Sequence, residues 1–140
     1  MQNEELNIEP LENALRTLKD GYNLYLNSKK ILNDEVLMGL EDSCVKRFEY
    51  TYEMSKKIMT RYLKTILDMN IDNLTIVNIF REMYSKKMIN NIENWDLYRK
   101  QRNSTSHEYD ILKSRDCIKI IPDFINDVEF LVNKLKEKLQ

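Results

Sequence analysis

Hydrophobic residues recur along this chain at steps of three and four. Leu11, Leu15, Leu18, Tyr22 and Tyr25 line one face of a helix. Glu9-Pro10 suits its start, because a proline in the first turn removes an N–H that has no intrahelical partner. Asn33-Asp34 marks a break. A second pattern runs through Val45, Phe48, Tyr52, Met59, Leu63 and Ile66, with Ser55 where one more apolar residue would fall. It predicts the longest helix, from Asp34 or Glu41 to Met69. Asn70-Ile71-Asp72-Asn73 interrupts it, and Thr75 is placed to cap a shorter third helix carrying Ile76, Phe80 and Met83. After Asn90-Asn91, Trp95, Tyr98 and Arg102 share one face of a fourth helix, which the polar run from Asn103 to Ser106 ends or weakens. Ile118, Ile121, Ile125, Val128, Val132, Leu135 and Leu139 form the stripe of a last helix. Pro122 lies inside that stripe and predicts a kink, or a restart at Asp123. No segment alternates with period two long enough to need a sheet.

The expected fold is therefore all-α: an antiparallel helical bundle of about five helices, three long and two short, with residues 1–140 as a single domain. The stripes at 11–25 and 118–139 are narrow, like the seams of antiparallel bundles. Surplus aromatic and methionine surface would equally serve a dimer interface. Two glycines and two prolines fit long helices with few connections, and Gly21 and Gly39 are too few for a phosphate-cradling loop.

Composition narrows the function classes. A hydrophobic fraction of 42% with 32% charged residues is too apolar for disorder. A formal net charge of −1 argues against a surface that grips nucleic acid throughout, while leaving room for a local basic pocket. Met1-Gln2-Asn3-Glu4-Glu5 is polar and acidic, so no signal peptide is expected, and no apolar run reaches membrane-spanning length. A cytoplasmic setting follows as the expectation, with Cys44 and Cys117 as reduced, small residues inside packed helices.

The candidate chemistry lies in Arg102-Asn103-Ser104-Thr105-Ser106-His107-Glu108-Tyr109, which contains the chain's only histidine. An imidazole moves protons near neutral pH, and a guanidinium grips a phosphate oxygen with a fork of N–H donors. Together they suit a phosphodiester: Arg102 would stabilise charge building on the phosphoryl oxygens, and His107 would move the proton during attack by a ribose 2′-hydroxyl. With that hydroxyl as nucleophile neither metal nor cofactor is needed. Asn103, Ser104 and Ser106 could orient the phosphate or the imidazole. On spacing alone the same residues also read as a helix-end arginine pairing with Glu108 or Asp110 and a histidine capping a turn. Glu49 and Glu53, four apart on one helical face, read either as solvated acids or as support for the cleft, with Glu53 holding Arg102 or His107. Trp95 and Tyr98 fall on an apolar stripe and are assigned to the core rather than to base stacking. The basic pairs Lys56-Lys57 and Lys86-Lys87 read as solvated faces, with attraction of RNA or a partner as the other use.

Arg102 to His107 with Tyr109 resembles the Arg-x4-His-x-Tyr motif of the HEPN superfamily. The wider segment from Trp95 to Asp110 is similar to its nucleotidyltransferase substrate-binding branch. Arg47-Phe48-Glu49-Tyr50-Thr51-Tyr52-Glu53 resembles that branch's Arg-Phe-Glu-aromatic-Thr-aromatic-Glu signature. The two matches lie about fifty residues apart in the expected order. The resemblance implies a helical bundle that forms a homodimer and brings two Arg/His motifs to a shared cleft. It implies a metal-independent endoribonuclease toxin acting on RNA, with Arg102, His107 and Asn103 catalytic; Glu53 and Ser106 are the supporting residues that the reading of the residues themselves offers. It also implies a cognate minimal nucleotidyltransferase that neutralises the toxin, in some pairs by transferring AMP to the motif tyrosine, here Tyr109. Two other classes stay open at this point: a non-catalytic subunit presenting a nucleotide or other acceptor to the nucleotidyltransferase, and a helical interaction protein with a vestigial motif.

Overall fold

Among the described residues, polar caps at Asn33, Thr75, Asn91 and Asp110 set where four of the five α-helices begin. The computed structural model describes residues 6–30, 33–105 and 110–140. Helix α1 spans Glu9–Ser28 and starts on Pro10 without a side-chain cap. The Asn33 Oδ1 accepts the Val36 N–H at 2.9 Å to open α2, Asp34–Arg61. The Thr75 Oγ1 accepts the Asn78 N–H at 3.2 Å to open α3, Ile76–Ser85. The Asn91 Oδ1 accepts the Asn94 N–H at 2.8 Å beside the start of α4, Glu93–Thr105. Asp110 accepts from Leu112 and Lys113 at the head of α5, Ile111–Leu139. Each of these oxygens satisfies a donor that has no partner inside its own helix. Among the described residues there is no strand, and no helix is long and apolar enough to cross a membrane.

Two expectations are corrected. The last helix does not restart at Asp123: α5 runs unbroken through Pro122. Pro122 points to solvent, while Ile118, Ile121, Phe124 and Val128 are buried on either side of it. Packing of that stripe holds the helix together across the missing N–H bond. The second helix does not stay α-helical to Met69. It widens into a π-turn over Tyr62–Ile66, closed by the Leu67 N–H on the Tyr62 carbonyl at 3.2 Å, and ends near Asp68 at φ 52°. The wider turn keeps Tyr62 and Leu63 both buried as the helix leaves the core.

Helices α1, α2 and α5 pack against one another, α4 lies across α2 and α5, and α3 covers part of α2. At the centre Phe48, Trp95, Tyr98 and Phe124 are fully buried and meet ring to ring. Trp95 and Tyr98 are thus core residues. The buried Ser55 occupies its apolar position by donating to the Thr51 carbonyl at 2.8 Å. The buried Asp127 accepts from the Tyr98 hydroxyl and from Asn94 Nδ2 at 3.0 Å, tying α4 to α5. Burial and that carboxylate together hold the Tyr98 hydroxyl protonated far above the phenol range. Cys44 and Cys117 are free and buried, and burial pushes the Cys44 thiol up to about 11.

Candidate functional site

Trp95 and Tyr98 anchor α4 in the core, and Arg102, the next residue on the same face, emerges at the edge of the bundle against α2. Two carboxylates wait there. Glu49 Oε2 lies 3.6 Å from Arg102 Nη1, and Glu53 Oε2 lies 3.3 Å from Arg102 Nε. The Nε contact is one of charge only. Its N–H is buried and finds no well-directed acceptor among the described residues. Thr105 completes the group, donating to Glu49 Oε2 at 2.7 Å, with the Arg102 carbonyl 3.2 Å from the same hydroxyl. The guanidinium is thereby fixed by its stem and flank while a quarter of the side chain stays open to solvent.

The α2 segment that supplies these carboxylates works in two directions. Arg47 donates to the Thr17 carbonyl of α1 at 2.7 Å. It crosses α1 at Gly21, where a Cβ would come within 2.8 Å of Arg47 Nη1. Thr51 donates to the Ala14 carbonyl at 3.2 Å, and Phe48 and Tyr52 fill the core. Glu49 and Glu53 face the other way, to α4. The signature from Arg47 to Glu53 is thus the brace that sets Arg102 relative to the first two helices. Burial, then the neighbouring Glu53 charge, raise the Tyr52 hydroxyl far above its ordinary range, so it stays neutral beside the site.

Of the residues assigned from sequence, Arg102 and Glu53 come together and Asn103 lies exposed on the same last turn. Ser106, His107, Glu108 and Tyr109 lie outside the described residues. Among the described residues the carboxylates that pair with Arg102 are Glu49 and Glu53, and Asp110 caps α5 instead. Glu49, which the sequence leaves as either a solvated acid or a support, is part of the site. Its side chain is only 13% exposed against 42% for Glu53, so it is the more rigid of the two supports. Its place one turn before Glu53, beside the apolar Phe48, was the available signal. Among the described residues no three His, Cys, Asp or Glu side chains gather as a metal cage.

Glu53 also lines the rim of a groove of about 740 Å³ between α2 and the segment leading into α3. Met54, Ile71, Leu74, Ile76 and Ile79 give it an apolar floor, and Lys56, Lys57, Arg61 and Lys64 stand along it. The pair Lys56-Lys57, read from sequence as a solvated face or an attractor of RNA or a partner, borders this groove.

The sequence and fold place this chain among known proteins. The family model for nucleotidyltransferase substrate binding protein-like proteins matches residues 6–137. The chain belongs to this family, a branch of the HEPN superfamily. A Haemophilus influenzae relative named "Probable ribonuclease HepT" is 29% identical over the whole of this chain and 99% of its own length. A solved Haemophilus influenzae structure, described as a substrate binding domain of a nucleotidyltransferase, superposes with a TM-score of 0.86 at 29% identity, over 93% of this chain and 99% of that one. A Thermus thermophilus structure at 22% identity shares the fold, with a TM-score of 0.71 over 89% and 98% of the two chains. In this family member the brace and the motif arginine meet through Glu49, which gives a direct test. Glu49→Ala is expected to lower any Arg102-dependent RNA cleavage about tenfold, with KM little changed and the melting temperature within a few degrees, because one charge-assisted contact to the guanidinium is lost. Glu49→Gln keeps the acceptor for Thr105 but not the charge, and an unchanged turnover in both variants would remove Glu49 from the site.

Proposed function

We propose that this chain is a HEPN-type toxin, a metal-independent endoribonuclease that acts as a homodimer and is neutralised by a cognate minimal nucleotidyltransferase. The observation that carries this reading is the Arg102 guanidinium, held at the edge of the bundle by Glu49 and Glu53 with a quarter of its side chain open to solvent. The family membership and the name of the Haemophilus influenzae relative support it. In the proposed reaction His107 accepts the proton of a ribose 2′-hydroxyl. The oxygen attacks the adjacent phosphorus, the bond to the 5′-oxygen breaks, and that oxygen takes up a proton. Arg102 stabilises the extra negative charge on the phosphoryl oxygens, with Asn103 and Ser106 orienting the phosphate. Tyr109 lies two residues from His107 in sequence. A nucleotide attached there would bring bulk and negative charge to the RNA cleft and block it.

The test is co-expression with a cognate minimal nucleotidyltransferase and ATP, followed by mass spectrometry. Wild-type chain is expected to gain AMP on Tyr109 and to lose its cleavage of RNA in excess chelator. Tyr109→Phe should still cleave and should gain no AMP. Continued modification of that variant would remove Tyr109 as the acceptor, and a wild-type chain that leaves RNA intact would remove the ribonuclease. A second reading, a non-catalytic subunit that presents a nucleotide to its partner, is favoured by the solved relative described as a nucleotidyltransferase substrate binding domain. Tight nucleotide binding without RNA cleavage would select it.

A further inference from the structure

We infer that the groove between α2 and the segment leading into α3 is the track along which a single-stranded RNA enters the Arg102 site. This inference rests on the ribonuclease reading and names where its substrate lies.

The argument begins with charge. Around Arg102 the described charges cancel: Arg102 faces Glu49 and Glu53, and Glu53 is further held by Lys56 at 2.9 Å. A polyanion gains little from approaching such a balanced cluster. The attraction has to come from beside it, and the adjacent groove supplies it. Lys57, Arg61 and Lys64 follow at steps of four and three, so they form one row along α2. All three are exposed, and none has a carboxylate partner among the described residues. That sets them apart from Lys86, which is paired with Glu82 at 2.8 Å, and from Lys100, paired with Asp96 at 3.2 Å. Among the described residues Glu53 is the one acid on the groove wall, and both Lys56 and Arg102 offset it.

Shape and local backbone agree with this occupant. The row from Glu53 to Lys64 is roughly 16 Å long at the rise of a helix, the reach of a few nucleotides. Beneath the cations lies the apolar floor of Met54, Ile71, Ile76 and Ile79, and at one end Tyr50 stands 55% exposed as a free ring face. A cationic row with an aromatic and aliphatic floor is the arrangement that holds an unpaired strand, phosphates on the row and bases on the floor. The π-turn at Tyr62–Ile66 carries Lys64 at the far end of the row, where the helix changes register. Because Glu53 both lines the groove and touches Arg102, a strand lying there delivers its phosphate to the guanidinium without crossing the buried core.

The experiment uses the full chain and a 2′-deoxy oligonucleotide, which binds without offering the attacking hydroxyl. Affinity is read by fluorescence anisotropy across a salt series, beside cleavage of the matching RNA. The triple variant Lys57→Ala/Arg61→Ala/Lys64→Ala is expected to bind up to about a hundredfold more weakly near 0.1 M salt. Its salt dependence should be shallower by about two units of slope, since each lost phosphate contact on a single strand removes roughly 0.7. The row is exposed, so the variant should melt with the wild type, and Lys57→Arg/Lys64→Arg should bind as the wild type does. Lys86→Ala/Lys87→Ala, the other basic pair, should change neither quantity. If the wild type binds and cleaves RNA but the triple variant matches it in affinity and slope, the track is overturned and the ribonuclease stands. If the triple variant loses capture of the co-expressed nucleotidyltransferase while oligonucleotide binding is unchanged, the groove is a protein-docking face and the inference is again overturned. A wild-type chain that neither binds nor cleaves RNA removes the ribonuclease, and the track with it.

Discussion

His107→Ala is expected to lower RNA cleavage by roughly 10² to 10⁴, the span that a positioned general acid–base contributes. Arg102→Ala is expected to lower it by roughly 10² to 10³, the cost of removing one donor from the charge that develops at the phosphoryl group. The double variant should fall well short of the product of the two, because the groups act on one transition state. Arg102→Lys should not rescue, since a single ammonium reproduces neither the fork nor the paired reach to Glu49 and Glu53. Folding can be separated from chemistry. Without the guanidinium, Glu49 keeps the Thr105 hydroxyl and Glu53 keeps Lys56, so the Arg102→Ala protein should retain its helical spectrum and melt cooperatively. The measurement is an initial rate on a labelled RNA in excess chelator, with a thermal melt on each preparation. A His107→Ala protein that keeps more than about a tenth of wild-type activity would place the proton transfer on another group.

The helices were legible because their signals are local. Apolar steps of three and four, the polar residues at Asn33, Thr75 and Asn91, and a proline after Glu9 each act within a turn or two, and the structure uses all of them. Pro122 predicts a kink or a restart, and the restart does not occur. Ile118, Ile121, Phe124 and Val128 on either side of it are buried against other helices, which holds α5 together across the proline. The π-turn had no local mark either, because it follows from keeping Tyr62 and Leu63 both inside. For the site, the motif pointed to Arg102 but not to its surroundings. That Glu49 is the less exposed of the two carboxylates depends on how α4 crosses α2, which no spacing within α2 encodes. That Lys57, Arg61 and Lys64 border a groove depends on where the 67–75 segment returns. Periodicity gives the face of a helix; only the packing says what lies opposite.

Phe124→Ala is expected to be the most destabilising single substitution in the core, by about 3–5 kcal/mol. Phe124 is fully buried, with its ring centroid 4.8 Å from Phe48, 4.9 Å from Tyr98 and 5.9 Å from Trp95. These neighbours come from α2 and α4, so the ring joins three helices and no single one can collapse into the space it leaves. Against a total stability of about 5–15 kcal/mol, the melting temperature should drop by roughly 10–20 °C. Phe124→Leu keeps most of the volume and should cost under about 1.5 kcal/mol if its neighbours repack. The functional consequence is specific. One turn further on, Asp127 holds the Tyr98 hydroxyl and Asn94, so α4 is seated on α5 by Phe124 and Asp127 together. Loosening that seat moves the helix that carries Arg102, while the brace on α1 through Arg47 and Thr51 is untouched. Phe124→Ala should therefore lose Arg102-dependent cleavage at temperatures where its circular dichroism is still native, and a loss of activity that only tracks global unfolding would show that the seat of α4 does not govern the site.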